Sequence, residues 1–93
     1  MIVRILGEGQ WEVSEALLEV LNALDQAVES AVETSDTATF GPALTALLDA
    51  VRSQGTRLED DSLEDSDLIL PPSDASLDEV RAMLTDEGLV PDP

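Results

Sequence analysis

The side chains in this 93-residue sequence that could take part in chemistry are those of Asp, Glu, Ser, Thr and Arg, and carboxylates are the most numerous. The sequence has 21 Asp and Glu residues and four Arg residues, and it contains no His, Cys, Lys or Tyr. A Ser or Thr nucleophile needs a neighbouring base such as His or Lys, and soft metal sites need thiolate or imidazole ligands. The residue types therefore predict a protein that is not an enzyme and that has no cofactor and no metal site.

The densest group of carboxylates lies between Glu59 and Asp67, where oxygen ligands for Ca²⁺ would be available. The segment lacks the central glycine and the terminal bidentate Glu of an EF-hand loop. Paired carboxylates also serve as acid and base in glycosidases, but a small aliphatic domain with one Trp and one Phe offers little cleft for a sugar. We therefore interpret the segment as a solvated loop.

The net charge of −17 restricts the class of partner. Nucleic-acid binding relies on Lys and Arg, and anionic membranes repel an acidic protein, so we expect neither nucleic acid nor a direct membrane contact. We also expect no small-molecule substrate. No signal peptide and no apolar run of about 20 residues is visible, and the lack of Cys suits the cytosol. These features predict a cytoplasmic protein, reaching the membrane only through a partner.

The N-terminus predicts a β-hairpin over residues 1–13. The apolar run from Ile2 to Leu6 is typical of a strand covered on both faces. Gly7-Glu8-Gly9-Gln10 predicts a tight turn, and Trp11-Glu12-Val13 predicts the returning strand. Because an isolated hairpin is marginal in water, it must lie against helices.

Two helices should follow the hairpin. Ser14 is a suitable N-cap for a helix over residues 15–33, whose acidic residues, including Asp25, should mostly face solvent. The second helix is capped by either Asp36 or Thr39. Pro42 is comfortable only in a first turn, which favours a helix over residues 39–54, whereas a start at Asp36 would kink it. The expected apolar faces contain Leu17, Leu21, Leu24, Val28 and Val32 in the first helix, and Phe40, Leu44, Leu47, Leu48 and Val51 in the second.

The C-terminal third predicts an acidic loop, a short strand and a third helix. Residues 56–67 form the predicted loop, and residues 68–70 are suited to a third short strand that ends at Pro71-Pro72. Ser76-Leu77-Asp78-Glu79 is a capping box for a helix over residues 77–87, which Gly88 should end. The sequence therefore predicts one small α+β domain over residues 1–93, mainly helical, with the hairpin packed on three helices.

Two segments resemble the PspA-associated protein family, PspAA. The first is the N-terminal run Ile-Val-Arg-Ile-Leu-Gly-Glu-Gly-Gln, and the second is Leu-Ile-Leu-Pro-Pro leading into Ser-Leu-Asp-Glu-Val. The resemblance implies a small cytoplasmic protein that is encoded beside PspA, a coiled-coil membrane-remodelling protein of phage-shock and envelope-stress systems. It implies an adaptor that binds or regulates a PspA-like coiled-coil protein, and it implies no known active-site residues.

We expect the partner surface where apolar and acidic groups meet at the hairpin edge and the Pro-rich turn. Its predicted members are Trp11, Asp67, Ile69, Leu70, Pro71, Pro72 and Asp74. The apolar members are also suited to the core or to a turn, and the exposed face of the first helix is the next candidate. An alternative function is an acidic nucleic-acid mimic that inhibits a DNA-binding protein by occupying its basic groove.

Overall fold

The computed structural model describes residues 1–59, 65–84 and 89, which form three helices and four strands. The elements are β1 (Ile2–Ile5), β2 (Gly9–Glu12), α1 (Glu15–Glu33), α2 (Thr37–Gln54), β3 (Thr56–Arg57), β4 (Leu68–Leu70) and α3 (Leu77–Met83). The strands form one sheet in the order β3-β2-β1-β4. The predicted α+β fold, with an N-terminal hairpin and three helices, is confirmed.

The hairpin pairs β1 with β2 in antiparallel register, with Val3 opposite Trp11 and Ile5 opposite Gly9. Gly7 makes the turn possible because it adopts φ +83°, a region that side chains with Cβ rarely enter. Val3 and Ile5 are fully buried, whereas Arg4 between them is exposed. The prediction of a strand covered on both faces is therefore wrong, since the helices cover only one face of the sheet.

Helices α1 and α2 supply most of the core that covers this face. Ser14 caps α1 by accepting a hydrogen bond from the Leu17 amide at 3.1 Å, as predicted. Leu21 and Val28 of α1 are fully buried, as are Leu47, Leu48 and Val51 of α2. Leu24, expected on the same face, is only partly buried against this core.

Helix α2 begins at Thr37, two residues before the predicted start at residue 39, and its N-cap is Asp36. The Asp36 carboxylate accepts hydrogen bonds from the amides of Ala38 and Thr39 at 3.1 and 3.3 Å. Pro42 therefore lies inside the helix, where it removes the one amide that would reach Ala38. The Asp36 carboxylate satisfies two amides, whereas Pro42 loses one backbone hydrogen bond. This balance explains why α2 starts before the predicted residue.

Gly55 ends α2, although not in the left-handed conformation expected of a C′ glycine. Its φ of −80° and ψ of 166° are extended, and the chain enters β3 directly. A Cβ at this position would lie 2.7 Å from the Val51 carbonyl oxygen, so close packing requires the glycine. Thr56 and Arg57 then pair with Glu12 and Trp11, which corrects the prediction of a loop over all of residues 56–67.

The predicted third strand over residues 68–70 is present as β4, and it pairs in parallel with β1. β3 and β4 lie on opposite edges of the sheet. Ser66, shortly before β4, accepts hydrogen bonds from Arg4 and Gln10 at 3.1 and 2.7 Å. Gln10 lies opposite the exposed Arg4 on the outer sheet face and is nevertheless 6% exposed. Residues 60–64 of the predicted acidic loop lie outside the described residues.

Helix α3 is shorter than the predicted helix over residues 77–87. Ser76 caps it by accepting a hydrogen bond from the Glu79 amide at 3.1 Å, as the capping box predicts. The helix ends at Met83 because Leu84 is extended. Leu89 lies against α1, where its amide donates to Asp25. The predicted stop at Gly88 lies outside the described residues.

Candidate functional site

The predicted partner surface is divided by the fold into buried and exposed residues. Trp11 is 4% exposed, Leu70 is fully buried, and Pro71 is buried as well. The Arg57 guanidinium lies 4.9 Å from the centroid of the Trp11 ring, which adds a cation–π contact. Trp11 and Leu70 belong to the hydrophobic core, so these three predicted contact residues offer little exposed surface to a partner.

The exposed part of this surface lies along β4 and the turn that follows it. Ile69 is 48% exposed, Asp74 is exposed and Pro72 is half-buried. β4 is the outer strand of the sheet, so its far edge pairs with no described strand. We call the group Asp67, Ile69, Pro72 and Asp74 the sheet-edge surface. Whether a partner binds there stays a prediction.

Asp67 has a structural role within the sheet-edge surface. Its Oδ2 accepts a hydrogen bond from the Ile2 amide at 2.8 Å, and its own amide donates to the Ile2 carbonyl at 2.8 Å. The side chain thereby extends the β1–β4 pairing by one residue. Its carboxylate is exposed, so it contributes both to the register of β4 and to the charge of the surface.

A charged cluster that sequence reasoning missed joins the hairpin turn to α2. Arg52 donates to both carboxylate oxygens of Glu8, at 2.7 and 2.5 Å, and to Asp49 at 2.8 Å. Arg57 donates to the Glu8 carbonyl oxygen at 2.7 Å. The hydrogen bonds from Arg52 hold the pKa of Glu8 below its ordinary value of 4.5 and outweigh partial burial. The hydrogen bond with Glu8 also raises the pKa of Arg52. The cluster is therefore a fixed link between the hairpin turn and α2.

Asp25 is a second group that sequence reasoning placed wrongly. It is 1% exposed, and its Oδ2 accepts a hydrogen bond from the Leu89 amide at 3.0 Å. The signal was present in the spacing, because Asp25 lies four residues after Leu21 and three before Val28 on the buried face. A carboxylate at a core position indicates that the fold supplies donors to it.

The outer face of α1 is the second exposed surface of note. Ala16, Val20, Ala23 and Ala27 are all exposed, and Val20 is 43% exposed. Glu15, Glu19 and Glu33 are also exposed, and Glu29 is half-buried. The helix contains no basic residue. The internal helix pair therefore covers the Leu-rich face of α1 and leaves an apolar strip beside a row of carboxylates.

The described residues bring together no group of three or more acidic side chains that could hold a metal ion. Among the same residues, no helix has the length and apolar character needed to span a membrane. Exposed carboxylates lie next to small apolar areas on the outer face of α1 and on the sheet-edge surface.

Comparison with known proteins links this small acidic fold to one family. No curated protein and no solved structure matches the chain. The family model for PspAA, the PspA-associated protein, matches residues 1–92, which is nearly the whole chain. The match includes the β-hairpin, the helix pair and the β4–α3 segment. The chain therefore belongs to the PspA-associated protein family.

Proposed function

We propose that this protein is a non-enzymatic accessory protein that binds a PspA-type coiled-coil protein in the envelope-stress response. The observation that carries the proposal is the family match over residues 1–92, because the family is named for its association with PspA. The residue inventory supports a binding role, since a chain without His, Cys, Lys and Tyr has few groups for acid–base or nucleophilic chemistry.

The charge of the chain supports the choice of a protein partner. A surface with a net charge of −17 attracts basic surfaces from a distance and speeds the encounter. A coiled-coil protein exposes charged residues of both signs along its flanking positions, so it presents cations that carboxylates can meet. The accessory protein thereby reaches the membrane through its partner and makes no lipid contact of its own.

The experiment is a direct binding measurement between the purified chain and the purified PspA-type protein from the same genome. Size-exclusion chromatography with light scattering, at about 50 mM and about 300 mM salt, is expected to show a complex that weakens as salt rises. A lysate pull-down tests the nucleic-acid mimic. Recovery of a DNA-binding protein without any coiled-coil protein would replace the proposed function with that alternative.

A further inference from the structure

We infer that the outer face of α1 is the docking site for a single helix of a basic-flanked coiled-coil partner. The site consists of Ala16, Val20, Ala23 and Ala27, which we call the α1 seam, and of the carboxylates Glu15, Glu19 and Glu33 along one flank of it. This inference rests on the proposed function, because it names the surface and the structural element through which that partner is bound.

The spacing of the α1 seam is the first argument. Its members are separated by four, three and four residues, which is the spacing that keeps one stripe of a helix in contact with a second helix. The seam extends over 11 residue steps, or about 16 Å along the helix axis at about 1.5 Å per residue. Three of the four side chains are Ala, so a partner helix can approach closely, since the distance between packed helices depends on the side chains at the contact.

Val20 is the member of the seam that the isolated fold does not explain. Exposed Ala is common on helices because it has the best helix propensity. A β-branched residue lowers the helix propensity. Val20 is 43% exposed, so its burial in the isolated fold compensates little for that loss. Val20 lies one turn after Ala16 and three residues before Ala23, so a helix seated on the seam would cover it.

The charge beside the seam selects the kind of helix. Within the described part of the chain, Glu15, Glu19 and Glu33 make no ion pair. Glu15 and Glu19 are four residues apart, and like charges at this spacing destabilise a helix. Glu19 is also a direct neighbour of Ala16 and Ala23 on the helix surface. A partner with Lys or Arg beside its apolar stripe would relieve this repulsion while it covers the seam.

The same charge disfavours the other occupants. A second copy would place the same carboxylates against each other, at a net charge of −17 per chain. An anionic lipid surface would meet the same repulsion. The occupant that fits the seam is therefore a protein helix of opposite charge.

The test makes the same substitution, alanine to glutamate, at two exposed helical positions. Ala23→Glu puts a carboxylate into the seam, whereas Ala46→Glu puts one on the exposed face of α2. We expect Ala23→Glu to weaken binding of the purified PspA-type protein by about tenfold or more, as for a residue at the centre of an interface. Ala46→Glu should leave the dissociation constant within about twofold, because substitutions outside an interface are near neutral. Far-UV circular dichroism and thermal unfolding verify that both variants fold.

The outcomes separate this inference from the proposed function. If the wild-type chain and both variants bind equally well, or if both variants lose affinity equally, the α1 site is wrong and the proposed function stands. If the wild-type chain does not bind the PspA-type protein, both are wrong. A concentration-dependent dimer, or binding to phosphatidylglycerol vesicles, that Ala23→Glu abolishes would assign the seam to a second copy or to lipid instead.

A second readout uses the absence of Cys from the sequence. Ala23→Cys and Ala46→Cys each introduce a single thiol that an environment-sensitive fluorophore can label. We expect the partner to shift the emission of the label at position 23 to shorter wavelength and to leave the label at position 46 unchanged. Equal shifts at both positions would overturn the inference.

Discussion

At the scale of single residues, the side chains that organise this fold are charged groups held by specific partners. Asp25 anchors the Leu89 amide beneath α1, and Glu8 joins the hairpin turn to Arg52. Arg81 donates to the Val32 carbonyl and to the Ser35 hydroxyl, both at 2.8 Å, so it satisfies the C-terminus of α1. In a chain with only four arginines, such placement is informative, because each of these cations meets polar groups far away in sequence.

Removal of the Asp25 carboxylate should release the C-terminal segment from α1. Asp25→Ala leaves the Leu89 amide without this acceptor, which is expected to cost about 1–3 kcal/mol in the free energy of unfolding. Urea unfolding measures the loss, and amide exchange at Leu89 should become faster. Asp25→Asn, which keeps an acceptor oxygen and the side-chain volume, is the control. Equal stability of wild type and Asp25→Ala would show that the hydrogen bond does not hold this segment.

The ion pair of Glu8 and Arg52 predicts a pH-dependent contribution to stability. Because folding lowers the pKa of Glu8 below 4.5, the contribution is fully present above about pH 4.5 and is lost as the pH falls through the folded value. Glu8→Gln should therefore destabilise the protein at pH 7 and have a smaller effect at about pH 3 to 4. Both side chains are about 30% exposed, which keeps the effect modest.

The control for this pH dependence is a double-mutant cycle with Arg52→Gln. In the Arg52→Gln background, Glu8→Gln should change the free energy of unfolding by nearly the same amount at both pH values. A pH-dependent difference that persists without Arg52 would assign the effect to another group.

At the scale of elements, a side-chain cap marks the start of each helix. Ser14, Asp36 and Ser76 each accept a hydrogen bond from an amide of the first turn that follows. The end of α2 also involves a long-range contact, since Gly55 packs against Glu12 and Trp11. The starts at Ser14 and Ser76 and the ends of α1 and α2 could be predicted from sequence, whereas the start of α2 and the end of α3 could not.

The start of α2 can be tested by comparing its two possible caps. Asp36→Ala should lower the free energy of unfolding by about 0.5–2 kcal/mol, the usual cost of removing an N-cap. Thr39→Ala should cost less, because the Thr39 hydroxyl makes only a 3.4 Å hydrogen bond to the Asp36 carbonyl. Chemical denaturation of the two variants gives the comparison. A larger loss for Thr39→Ala would place the cap where the sequence pattern alone suggested.

At the scale of the whole molecule, the sheet separates a covered face from an open one. The core on the covered face includes Val3, Ile5 and Leu70, and on the other face Gln10 donates a hydrogen bond to Ser66. Within the described residues, the main exposed areas are the sheet-edge surface, the outer face of α1 and the polar side of α2. Exposed carboxylates lie in the first two areas, whereas the charged residues of α2 are Asp49 and Arg52, which form an ion pair. Charge therefore speeds encounter, and shape must select between the first two areas.

The sheet-edge surface predicts a kinetic effect that depends on salt. The double variant Asp67→Asn with Asp74→Asn removes two charges, while the amide introduced at position 67 keeps an oxygen that can accept from the Ile2 amide. Association with the PspA-type protein should slow at low ionic strength and match wild type at about 300 mM salt, because salt screens exposed charges. Stopped-flow measurement at both salt concentrations provides the comparison. An unchanged rate at low salt would remove this surface from consideration and leave α1.

The sequence by itself determined the fold class, the N-caps Ser14 and Ser76, the hairpin and the absence of most catalytic groups. These features depend on residue type and on neighbours within about four positions. The tertiary structure alone decided that Asp25 meets the Leu89 amide, that Arg52 meets Glu8, and that β3 completes the sheet. Each of these contacts joins residues far apart along the chain, and local periodicity contains no information on such contacts. The same physical reason applies to the surfaces. Trp11 is buried and Val20 is exposed because of how the helices pack on the sheet, and that packing joins residues far apart along the chain.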